Sequence, residues 1–172
     1  GPKSAPILFV GEQPGNDEDL QGKPFVGPAG KLLDEALQQA GIQREQVYVT
    51  NAVKHFKFMA RGKRRIHRKP IGREIKAGRP WLEAEIALVK PRIVVALGAT
   101  AAQSLMGNQF RLTQHRGEFF TDTDWAPQLI ATLHPSAVLR MPDAAARRQA
   151  RADFFHDLKL VARKVKVAQQ RA

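Results

Sequence analysis

Four short, nearly uninterrupted apolar runs punctuate the chain, and amphipathic stretches with helical spacing lie between them. Ala5 to Val10 ends in Gly11, Gln46 to Thr50 comes second, Arg92 to Leu97 is stopped by Gly98, and Leu129 to Leu133 comes last. Such a run reads as a strand covered on both faces. Pro28 to Ala40 puts Leu32, Leu33, Ala36, Leu37 and Ala40 on one side of a helix, with Gly41 as its cap. Arg73 to Val89 repeats the pattern, with Trp81, Leu82, Ile86 and Val89 as the expected buried side and Pro91 just beyond. Ala99 to Met106 reads as a short helix and Asp143 to Val167 as a long basic one, capped by Asp143. Gly117 to Thr121 fits an edge strand. Strands alternating with helices predict a single-domain α/β/α sandwich around a mostly parallel, four-stranded sheet.

In sheets of this kind ligands bind beyond the carboxyl ends of the strands. Glu12-Gln13-Pro14-Gly15 follows the first strand, Asn51 the second, Thr100 the third and His134-Pro135-Ser136 the fourth. The expected topology gathers these polar groups on one rim. Taken singly, each also has a plain structural use, in a turn, a cap or a rigid loop.

The segment 54–70 breaks the alternation. It holds Lys54, Lys57, Arg61, Lys63, Arg64, Arg65, Arg68 and Lys69, and no carboxylate occurs between Gln46 and Arg73. Gly62 and Pro70 interrupt it and no spacing persists, so a loop is expected rather than a packed element. Charge alone suits a solvated surface as well as a polyanion-binding one. His55, Phe56 and Phe58, interleaved with the cations, favour stacking against nucleotides.

The length of 172 residues fits one domain spanning 1–172, enough to bury roughly 70% of the unfolded surface. The formal net charge of +12 points to a polyanionic partner. With no amphipathic anchor in the pattern, nucleic acid outranks a membrane surface. There is no cysteine, which excludes disulfides and thiolate metal sites and suits an intracellular setting. Gly1-Pro2 without an initiator Met reads as a protease-cleavage remnant, so residues 1–4 are expected to be a tag remnant.

Five collinear motifs carry a resemblance. Gly11-Glu12-Gln13-Pro14-Gly15, Pro24-Phe25-Val26-Gly27-Pro28-Ala29-Gly30, Thr50-Asn51-Ala52-Val53-Lys54-His55, Lys63-Arg64-Arg65-Ile66-His67 and His134-Pro135-Ser136 run in order over nearly the whole chain. Together they resemble the uracil-DNA glycosylase superfamily and, through the Lys-Arg-Arg-Ile-His loop, its UdgX branch. The resemblance implies an enzyme that flips deoxyuridine out of DNA and breaks its N-glycosidic bond. It implies Phe25 as the ring under uracil and Asn51 as the amide that accepts from N3–H and donates to O4, a pattern cytosine reverses. His134 would donate to O2 as charge develops on the leaving base. Glu12 would face the oxocarbenium sugar and orient or deprotonate the attacking group, with Gln13 beside it suited to hydrogen bonding. Gly15 and Ser136 are expected to contact substrate, and Lys63, Arg64, Arg65 and Arg140 to contact DNA.

In UdgX-like proteins the histidine matching His67 attacks the anomeric carbon and leaves the protein joined to the abasic sugar. Neutral imidazole is a competent nucleophile near neutral pH. By residue type alone, His67 suits a phosphate contact equally well. The family usually carries a cysteine-ligated iron–sulfur cluster, one of whose ligands lies in an Ala-Cys-Arg-Pro-Trp segment. Here that segment reads Ala77-Gly78-Arg79-Pro80-Trp81, so neither cofactor nor metal is expected. An acid often follows the first motif, where this chain has Asn16. The expected partner is uracil-containing DNA, single-stranded by preference, met by a cytosolic monomer. The alternatives are a glycosylase that turns over with water as nucleophile, and a non-catalytic binder of uracil-containing or abasic DNA.

Overall fold

The computed structural model describes residues 1–170, and side chains as far as 167. Strands β1 (Ile7–Gly11), β2 (Val47–Asn51), β5 (Ile93–Leu97), β6 (Phe119–Thr121) and β7 (Gln128–Thr132) form one sheet in the order β2-β1-β5-β7-β6. The first four run parallel, and β6 pairs antiparallel with β7. The sheet therefore has five strands instead of the expected four, because Phe119–Thr121 closes the β7 edge.

Alternate residues of each buried strand enter opposite cores. Phe9, Val95 and Ile130 face helices α2 (Pro28–Ala40), α6 (Pro135–Leu139) and α7 (Ala144–Gln170). Leu8, Val94 and Leu129 face α3 (Gly72–Val89) and α4 (Ala99–Met106). A short α5 (Leu112–His115) precedes β6. On α3 the inward stripe is Gly78, Leu82, Ile86 and Val89. Trp81, expected inside, lies one position off that stripe and is 67% exposed, since neighbouring helical residues point about 100° apart.

The segment 54–70 is also corrected. It folds as an antiparallel hairpin of β3 (Phe58–Arg61) and β4 (Arg64–His67), joined at Gly62-Lys63. Gly62 adopts a left-handed φ of 59°, which suits a two-residue turn. The missing carboxylates arrive from elsewhere in the fold. Lys54 pairs with Glu85, Lys57 with Glu74 and Arg65 with Asp19. The sequence pattern also gave no sign of α1 (Asn16–Gln21), which buries no residue and so has no apolar stripe.

Candidate active site

The strand order turns back on itself between β1 and β5, leaving a crevice at their carboxyl ends. Glu12 leaves β1 there and accepts a 2.5 Å hydrogen bond from Thr100 Oγ1 at the start of α4. Its other oxygen, Oε1, lies 3.4 Å from His67 Nε2, the last residue of the hairpin. Two sequence-distant candidates therefore meet at one carboxylate. The His67 side chain remains 43% exposed and open to a ligand.

Asn51 ends β2 opposite Gly11 of β1. Its Oδ1 is buried and has no hydrogen-bond partner among the described residues. A buried acceptor without a donor costs about 1–3 kcal/mol, which a ligand N–H would recover. Gly11 makes this arrangement possible: a Cβ there would lie 2.4 Å from Asn51 Oδ1 and 2.7 Å from Phe25 Cζ. The amide and the aromatic ring thus flank one glycine. Below Asn51, Lys54 Nζ donates to the Asn51 carbonyl oxygen at 2.7 Å and to Thr50 Oγ1 at 2.8 Å, while Glu85 holds the same ammonium.

Phe25 is buried, with a left-handed φ of 53°, and its ring centroid lies 5.7 Å from that of His134. His134 caps the first turn of α6. Its Nδ1 accepts the Ser136 backbone N–H at 3.1 Å, and Ser136 Oγ stands 2.8 Å away. A backbone N–H can only donate, so Nδ1 carries the lone pair and Nε2 the proton. Desolvation of the ring first, then the charges of Arg140 and His67, push its pKa down to about 4. His134 is therefore a neutral Nε2–H donor at physiological pH, and Ser136 acts by fixing its tautomer.

The remaining candidates divide into anchors and free cations. The buried Gln13 amide donates to the Arg68 and Lys57 carbonyl oxygens and accepts the Lys57 N–H, tying the base of the hairpin to β1. Arg65 reaches Asp19 Oδ2 at 2.6 Å and Asn16 Oδ1 at 2.8 Å, and its guanidinium lies over Phe56 and Phe58. It locks the hairpin onto α1, and Asn16 serves as its acceptor. Gly15 donates its N–H to Glu18. Lys63, Arg64 and Arg140 are exposed, as is His55. Glu18 and Glu85 were missed by sequence reasoning, although Glu18 stands three residues after Gly15, the spacing of a helix-capping acid.

A thiolate-bound cluster does not fit these residues. The chain has no cysteine, and among the described residues no group of three His, Cys, Asp or Glu is placed to hold a metal. Gly78, at the position of one family ligand, has no space for a side chain: a Cβ would lie 2.2 Å from the Ala52 carbonyl oxygen.

Residues 1–159 match the family described as the uracil DNA glycosylase superfamily. The chain is 37% identical over 161 residues to the type-4 uracil-DNA glycosylase of Archaeoglobus fulgidus, covering 90% of this chain and 76% of that protein. It is 41% identical over 145 residues to the type-4 enzyme of Thermotoga maritima, covering 83% and 70%. The Pyrobaculum aerophilum type-4 enzyme is 37% identical over 142 residues, covering 79% and 69%. With the fold, the rim and this likeness in agreement, the chain belongs to the uracil-DNA glycosylase superfamily.

Proposed function

We propose that this protein excises uracil from DNA and then captures the abasic sugar through His67, as a UdgX-like member of its family. The observation that carries the uracil reading is the partnerless, buried Asn51 Oδ1 beside the Phe25 ring. Uracil N3–H is the donor this oxygen lacks. Cytosine presents an unprotonated N3 there and would leave the oxygen unsatisfied. His134 Nε2–H donates to O2 as the C1′–N1 bond breaks and the electron pair leaves with uracil. The Glu12 carboxylate faces the resulting oxocarbenium sugar.

Capture rests on the 3.4 Å approach of His67 Nε2 to Glu12. The carboxylate that faces the sugar cation also stands beside the nucleophile. In the neutral tautomer that carries its proton on Nδ1, the Nε2 lone pair bonds to C1′, Nδ1 then gives up its proton to solvent, and the departing uracil anion takes one up. Atoms and charge balance without further reagents. Gln13 contributes by fixing the hairpin, and its amide has no role in proton transfer. Exposed Lys63, Arg64 and Arg140 contact phosphates, whereas Arg65 spends its charge on α1. Phe58, exposed on the hairpin, favours single strands, whose unpaired bases are free to stack, whereas Phe56 is buried beneath it.

Mixing the protein with a uracil-containing single strand tests both steps. Free uracil is expected, together with a protein–DNA species that survives heat and detergent. His67→Ala is expected to abolish that species while still releasing uracil, now with turnover as water takes the vacated place. Without free uracil the glycosylase reading fails. If His67→Ala forms the resistant species at the wild-type rate, capture by His67 fails.

A further inference from the structure

We propose that Glu18 is a positioning residue for the Phe25 ring, and hence for the stacked base. The inference rests on the uracil-excision reading above. Glu18 lies on α1, and its described hydrogen bonds are all to backbone N–H groups, none to the Asn51 amide or His134.

One carboxylate ties two loops together. Its Oε1 accepts the N–H groups of Val26 and Gly27 at 3.0 and 2.8 Å, and its Oε2 accepts the Gly15 N–H at 3.1 Å. The first pair belongs to the turn immediately after Phe25. The third belongs to the loop that carries Glu12 and Gln13. Gly27 is also the cap of α2, so the carboxylate sits where three backbone donors and the helix dipole favour a negative charge.

Phe25 needs such a hold because its backbone conformation is unfavourable for a bulky side chain. Its φ of 53° lies in the left-handed region, which phenylalanine rarely occupies. From one side the first turn of α2 presses against it: a Cβ at Gly30 would lie 1.9 Å from the Phe25 carbonyl oxygen. Glu18 supplies the hold on the following residues. Without it the turn relaxes toward ordinary backbone angles, and the ring moves away from Gly11 and Asn51. The same short helix holds Arg65 through Asn16 and Asp19, so α1 sets the stacking wall against the hairpin that bears His67.

The test is a double-mutant cycle read by single-turnover excision. Glu18→Ala is expected to slow uracil release roughly tenfold or more. Affinity for the same strand with an abasic analogue in place of deoxyuridine should stay within about twofold, because no base remains to stack. In a Phe25→Ala background, Glu18→Ala should cost less than about a further twofold, since the ring it positions is already gone. Glu18→Gln keeps an oxygen for Val26 and Gly27 but turns an NH2 toward Gly15, so an intermediate rate is expected. Additive losses in the cycle would show a general structural role and overturn the proposal. If Glu18→Ala does not fold, Glu18→Gln decides, and excision at the wild-type rate overturns the proposal. A wild-type protein that releases no uracil defeats the functional reading instead.

Discussion

His134 enters the folded protein with its Nδ1 lone pair committed to the Ser136 N–H, so protonation removes an acceptor while adding charge to a desolvated ring. Its pKa of about 4 lies below the usual histidine value of 6.5. Between those two values the unfolded chain binds the proton and the folded one does not. Stability is therefore complete above about pH 6.5 and falls as the pH drops toward about 4, by at most about 3 kcal/mol. Titration of the His134 ring protons by NMR should show a midpoint near 4, and a midpoint near 6.5 would remove this account. Glu12 works on the opposite charge. Glu12→Gln keeps the shape but loses the anion facing the sugar, and excision should fall about a hundredfold in single-turnover kinetics, or roughly 3 kcal/mol.

At the scale of elements, the hairpin is held by few, specific contacts, whereas α3 adds a close backbone seat at Gly78 to its apolar stripe. Arg65→Ala removes the hairpin's attachment to Asn16 and Asp19 and uncovers the Phe56 and Phe58 rings. Adduct formation should slow roughly tenfold to a hundredfold as His67 loses its fixed approach. Uracil release should suffer less, and equal losses in both rates would show that Arg65 serves the base pocket as well. Gly78→Ala tests the seat of α3, where a Cβ meets the Ala52 carbonyl oxygen. Overpacking costs about 1–3 kcal/mol, which calorimetry should register as a lower midpoint of several degrees. The four parallel strands were legible because each is a buried apolar run, and the rim motifs because they follow those runs directly. The hairpin was not legible, since β3 is exposed throughout and β4 nearly so, leaving no alternation of buried and exposed positions, and its countercharges come from α1 and α3. The α1 helix has only polar contacts to offer, and Trp81 shows that a large apolar residue one position off a helical stripe still faces solvent.

For the molecule as a whole, the net charge of +12 already counts every carboxylate, so the surplus falls on the cations that no carboxylate pairs. Lys54, Lys57, Arg65 and Arg116 are drawn into ion pairs. Arg61, Lys63, Arg64, Arg68 and Arg140 are exposed and form none of the described ion pairs. About 5 phosphate contacts from such a set give a log–log salt slope near −3.5 on a single strand. A slope near zero in binding titrations would reject an electrostatic grip. Treatment with a strong chelator should leave the thermal midpoint unchanged, because no cysteine is present to hold a cluster. The placement of His67 has one more consequence. Glu12, Phe25, Asn51 and His134 all stand on or beside the rim of the main sheet, whereas His67 rides on a ribbon that belongs to another sheet. On the proposed reading, bond breaking and capture are thereby carried by separate sheets. Remodelling that ribbon alone would then remove capture and leave in place the frame that recognises the base.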